Sequence, residues 1–71
     1  MKNSIKVERA KKDLTQADLA RLAKVSRQTI NAIELGKYVP STLLALRMAK
    51  IFGTTVDEIF QLEESDLEEK D

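Results

Sequence analysis

The chain reads as an all-α domain, and three features of the sequence carry that reading. Small capping residues precede four apolar stripes of helical spacing. Thr15 stands before Leu19, Ala20, Leu22 and Ala23, Ser26 before Ile30 and Ile33, Ser41 before Leu43 to Phe52, and Thr55 before Val56 and Ile59. Nothing alternates with period two except, weakly, Phe60-Gln61-Leu62-Glu63. A length of 71 residues leaves room for one small, marginally stable domain.

Taken in order, a first helix falls within Met1 to Lys12, with Ile5 and Ala10 among its inward positions. Arg9 lies on it, and Glu34 lies on the inner shoulder of the third helix. They form either a partly buried ion pair that sets the angle between helices or two unrelated surface charges. A pair would act on geometry more than on stability, because desolvation offsets most of the Coulomb gain. Lys11, Lys12 and Asp13 lead to Leu14 and the Thr15 cap. Only Lys24 and Val25 separate the stripe that follows Thr15 from the Ser26 cap. Two helices joined so closely must cross steeply, with Val25 plugging the corner. Lys24 stands where glycine would suit a positive φ better, which predicts ~1 kcal/mol of strain.

Gly36 is a good residue just past the end of the third helix, and Pro40 stops that helix from resuming. The fourth helix carries Leu43, Leu44, Leu46, Met48, Ala49, Ile51 and Phe52, too many apolar residues for one stripe. It belongs mid-bundle or at a subunit interface. Phe52-Gly53-Thr54-Thr55 ends it, and Thr55 caps a short last helix. Residues 60–63 can extend into a strand, paired with residues 2–5 or with a partner subunit. The boundaries are thus a domain over 1–62 and an acidic tail over 63–71, which lacks a core and is expected to fray.

The inventory of reactive residues excludes much. There is no cysteine and no histidine, so disulfides, thiolate metal sites and the usual nucleophile–base and zinc chemistry are missing. No catalytic constellation, metal site, cofactor or small-molecule pocket can be argued, and an enzyme is not expected. No apolar run approaches the ~20 residues of a membrane span, and no signal-peptide core is visible. A cytoplasmic protein without membrane contact is expected. The net charge of zero hides a segregation. Residues 1–50 hold eleven Lys/Arg against four Asp/Glu, a balance of +7, and residues 57–71 balance at −7. Such segregation suits a polyanion bound by the basic part while the acidic tail stays clear of it.

The third helix has two faces. At about 100° per residue, Ile30 and Ile33 share the core side, while Gln28, Asn31 and Ala32 point away. Arg27 and Thr29 flank that outer face. Gln and Asn can pair with adenine, and Arg with guanine, at base edges in the major groove of DNA. A solvated helix face is the bland alternative, and the tight turn before Ser26 weighs against it. Gln16 opens the second helix, where unpaired N–H groups and the dipole favour an anion such as a phosphate; a capping contribution is the alternative. Lys37 and the Tyr38 hydroxyl follow the third helix, placed for a flanking phosphate, and Tyr38 can also pack its ring on the fourth helix.

The motifs T-Q-x-x-L-A (15–20), V-S-R-Q-T-I-x-x-I-E (25–34), G-K-Y (36–38), P-S (40–41) and L-A-L (44–46) together resemble the Cro/C1-type, or xenobiotic-response-element-type, helix-turn-helix repressors. The match spans about residues 3–60 and is most similar to the small stand-alone form of the cytolysin-repressor type. The resemblance implies a five-helix bundle, a homodimer and an inverted-repeat operator in double-stranded DNA, with a short terminal antiparallel ribbon in some members. It assigns Arg27, Gln28, Asn31 and Ala32 to base readout. Gln16, Ser26, Thr29, Lys37 and Tyr38 go to the DNA backbone, with Gln16 also bracing the recognition helix, and Arg9 with Glu34 to a family ion pair. Three positions depart from the pattern: Lys24 for a frequent turn glycine, Leu35 for a frequent Asn, and Val39 for a frequent Asn before the proline. The last two remove potential phosphate hydrogen bonds, and Leu35 can instead touch a thymine methyl.

The expectation is therefore a sequence-specific repressor whose recognition helix, 26–35, enters the major groove. The rival reading is a protein-binding module, such as an antitoxin that masks a toxin through the last helix and the acidic tail. Fifteen acidic-rich residues offer little surface for that.

Overall fold

The computed structural model describes residues 1–68. Its elements are β1 (Lys2–Asn3), α1 (Ile5–Lys11), α2 (Gln16–Ala23), α3 (Arg27–Glu34), α4 (Thr42–Phe52), α5 (Val56–Ile59) and β2 (Phe60–Gln61), followed by a 3-10 turn at Glu64–Leu67. No helix among them is long and apolar enough to cross a membrane. The all-α expectation holds with five helices. Of the run at 60–63, Phe60 and Gln61 become a strand, and its partner is the chain's own amino-terminal segment: β1 and β2 pair antiparallel, Lys2 with Gln61 and Asn3 with Phe60.

Local chemistry sets the helix boundaries. Thr15, Ser26, Ser41 and Thr55 each hold extended backbone, and each accepts the N–H three residues on: Asp18, Thr29, Leu44 and Glu58. Asp18 completes a capping box by accepting the Thr15 N–H at 3.0 Å. That bond and the Thr15 side chain hold the Asp18 carboxyl below the usual carboxylate range, with a smaller contribution from Arg21. A depressed folded-state value stabilises above the unfolded value and is lost as pH falls through the folded one. The stability gap between wild type and Asp18→Asn should be full above about pH 4 and close below it; urea midpoints across an acid pH series check this.

The turn after α2 is closed by Val25 N–H to the Ala20 carbonyl at 3.0 Å and Lys24 N–H to that of Arg21 at 3.3 Å. This places Lys24 at φ +63°, the left-handed region anticipated there, and Asp13 takes φ +55° after α1. Lys24→Gly should therefore raise stability by roughly 0.5–1 kcal/mol, the relief of side-chain strain net of glycine's backbone entropy. An increase in thermal midpoint reads it out.

The core gathers one face of every helix: Ile5, Leu19, Ile30, Ile33, Met48 and Ile59 are shut off from water. Val25 packs against this cluster from the corner. Two inward assignments fail. Ala10 is exposed because it lies roughly 140° round α1 from Ile5, and the position that faces inward one turn later is Arg9. Leu22 is 48% exposed on the margin of the α2 stripe, where it lines an open groove with Leu43 and Leu46 of α4. On α4 the buried side chains Leu44, Ala45, Met48, Ala49 and Phe52 span only about 140° of the helix. Leu43 and Leu46 fall outside that arc and stay more than half exposed.

The start of the acidic tail carries a 3-10 turn at Glu64–Leu67. Glu63 and Asp66 close a reciprocal cap on the 3-10 turn, and both carboxylates meet the Met1 ammonium at 3.0 Å. Local capping and charge pairing hold this turn without a core. The remaining three residues of the tail lie outside the described residues.

Candidate nucleic-acid interface

α3 is built to be anchored on one side and presented on the other. Ile30 and Ile33 are buried, whereas Arg27, Gln28 and Asn31 are exposed. Thr29 is half-buried. Ala32, placed on the outer face by its helical angle, is also half-buried. Ser26 Oγ accepts the Thr29 N–H at 3.1 Å and lies 2.9 Å from Thr29 Oγ1. The two hydroxyls share one proton between them, which leaves one O–H to donate outward.

The predicted pairing of Arg9 with Glu34 is present and bidentate. Arg9 Nε donates to Glu34 Oε2 at 2.7 Å, and Nη2 donates to Oε1 at 3.1 Å. Both side chains are mostly buried, at 15% and 9% exposure. A third donor, Arg9 Nη1, reaches the Leu14 carbonyl at 3.0 Å. One guanidinium thus ties α1, the loop before α2 and the end of α3 together.

Gln16, the first residue of α2, bridges to α3: its Nε2 donates to Asn31 Oδ1 at 3.1 Å and to Glu34 Oε1 at 3.3 Å. The bracing contact is therefore made, and it occupies the side-chain donors that were expected to hold a phosphate. The head of α2 borders a shallow groove lined by Thr15, Ala17 and Arg27, and the first-turn N–H groups outside the capping box have no partner within the helix. Lys37 and Tyr38 follow α3 and are exposed. The Tyr38 ring is 51% exposed and does not join the packed core. Gly36, at φ +76°, makes that exit, with Lys37 N–H bonded to the Ala32 carbonyl at 2.9 Å.

One fastening was not visible in the sequence. Asn3 Nδ2 donates to the carbonyls of Ile33 and Glu34, at 3.0 and 3.3 Å. The β1 segment thereby caps the end of α3, and the 30 residues between them left no local signal of it.

A helix-turn-helix family model matches residues 5–59, most of the chain. The chain belongs to the Cro/C1-type helix-turn-helix family. The helix-turn-helix unit proper is α2, the Lys24–Val25 corner and α3. Among similar proteins, one from Methanocaldococcus jannaschii is 53% identical over 66 residues, covering 93% of this chain and all of the relative. One from Bacillus subtilis is 47% identical over 64 residues, covering 90% and 97%. One from Archaeoglobus fulgidus is 43% identical over 70 residues, covering 99% of both chains. All three are described as uncharacterized HTH-type transcriptional regulators. Their near-complete overlap with this chain means that the helix-turn-helix domain makes up most of each.

Proposed function

We propose that this helix-turn-helix protein is a sequence-specific DNA-binding transcriptional regulator, a repressor that binds an inverted-repeat operator as a homodimer. The observation that carries the reading is the division of α3 into a buried isoleucine face and an exposed Arg27–Gln28–Asn31 face, on a helix whose end is tied to β1 and α1. In this reading Ser26 to Ala32 enter the major groove, with Arg27, Gln28, Asn31 and the Ala32 methyl at base edges. Ser26, Thr29, Lys37, Tyr38 and the head of α2 at Gln16 meet the backbone. Two copies present their recognition helices about one turn of DNA apart, ~34 Å.

Apolar surface supports the dimer: Val39, Leu43 and Leu46 are each more than half exposed around the start of α4, more than a monomer of this size needs to leave wet. Repression follows from occupying a promoter, with no catalysis. Selection of duplexes from a random pool, at moderate salt, tests the whole reading. An enriched inverted repeat supports it, and recovery of sequences no different from the input pool defeats it. On the selected site, Gln28→Ala should lose about 1–3 kcal/mol of discrimination at one or two base pairs while its affinity for scrambled DNA stays the same. Binding titrations on matched and scrambled duplexes measure that split.

A further inference from the structure

The polar cluster behind α3 fixes more than the angle of a helix. Both oxygens of the Glu34 carboxylate accept guanidinium protons from Arg9, at 2.7 and 3.1 Å. An ionised carboxylate only accepts, so the Gln16 atom 3.3 Å from Oε1 has to be the amide nitrogen. The same nitrogen lies 3.1 Å from Asn31. With one proton on each partner, both donors of the Gln16 NH2 are used. The Asn31 atom facing it is then the carbonyl oxygen by the same rule, and the Asn31 NH2 is turned the other way. Glu34 thus sets the orientation of Gln16, and Gln16 sets that of Asn31, an exposed side chain on the outer face of the helix.

We infer that Asn31 reads its base pair as a hydrogen-bond donor and so selects guanine over adenine, with Gln16 and Glu34 as positioning residues. The inference rests on the operator-binding reading above. Guanine offers two acceptors in the major groove, N7 and O6; adenine offers N7 beside the N6 donor, and an amide pairs with it by turning both its oxygen and its NH2 toward the base. An oxygen anchored on α2 removes that second mode. The general preference of asparagine for adenine is thereby reversed at this position by a charge that never touches DNA.

The test uses the intact protein and duplexes that differ at the one base pair whose discrimination is lost in Asn31→Ala. Affinities are measured by fluorescence anisotropy. Wild type should prefer guanine to adenine there by about tenfold, and 7-deazaguanine, which lacks the N7 acceptor, should bind less tightly than guanine. Gln16→Met keeps the shape of the side chain and leaves the Arg9–Glu34 pair in place. It should narrow the preference to within about threefold, and a ratio between duplexes cancels any uniform loss of phosphate affinity. A wild-type preference for adenine at that pair overturns the inference, as does an undiminished guanine preference in Gln16→Met, while either leaves operator binding standing. Absence of any selected site brings down the operator reading and this inference with it.

Discussion

Replacing Arg9 by methionine is expected to cost about 3 kcal/mol or more, because it strands a nearly buried carboxylate without its charged partner. Glu34 would keep only the Gln16 N–H, and the Leu14 carbonyl would lose its donor as well. A domain of this length has roughly 4–11 kcal/mol in all, so the change consumes a large part of its stability. Urea unfolding should show a lower midpoint at an unchanged slope. Arg9→Met combined with Glu34→Leu should recover part of the loss, since an apolar pair leaves no uncompensated charge. A single mutant as stable as wild type would mean that the pair is solvated despite its burial. The geometry matters beyond the energy: the guanidinium is the only group among the described residues seen to bond the α3 carboxylate and the loop before α2 together.

Ile30→Ala is the second large effect. Ile30 has no exposed surface and seats α3 on the core, so truncation removes three carbons and leaves a cavity, for about 2–5 kcal/mol. At the sensitivity of a small domain that is a fall of roughly 10–25 °C in thermal midpoint. Leu22→Ala, which removes a comparable side chain from a surface position, should change stability by only about 0.5 kcal/mol. The contrast separates anchoring of α3 from hydrophobicity as such. A small effect at Ile30 would show that Ile33 alone holds α3 in place.

Much of this fold is legible in the sequence because its determinants are local. A cap needs one hydroxyl and the N–H three residues later, so Thr15, Ser26, Ser41 and Thr55 announce their helices without reference to the rest of the chain. The corner is legible for the same reason: only Lys24 and Val25 stand between the last residue of α2 and the Ser26 cap. The pairing of Arg9 with Glu34 is not local, and it became readable only through resemblance to a family. Periodicity alone fails where it must choose the width of a stripe. Leu22, Leu43 and Leu46 satisfy helical spacing but fall outside the arcs that neighbouring helices cover, and Ala10 yields its inward place to an arginine stem whose charge has a partner. The site follows the same division. The exposed Arg27, Gln28 and Asn31 follow from angles around one helix. The Asn3 cap and the chain from Glu34 through Gln16 to Asn31 depend on three segments meeting, which no window of sequence contains.

The ribbon between the two ends of the domain has a kinetic consequence. Ser4 N–H bonds to the Ile59 carbonyl at 2.8 Å, across a separation of 55 residues, whereas α2 and α3 meet across a two-residue corner. Short-range contacts form before long loops close, so the helical corner is ordered early and the ribbon joins last. The same order governs opening of the native state. β1 and β2 can part while the isoleucine core remains intact, and the amide proton of Ser4 will exchange with solvent faster than that of Val25. Each such opening also lifts Asn3 from the end of α3. The last contacts to form and the first to open are therefore expected at one seam, and that seam also holds the Asn3 cap on the end of α3.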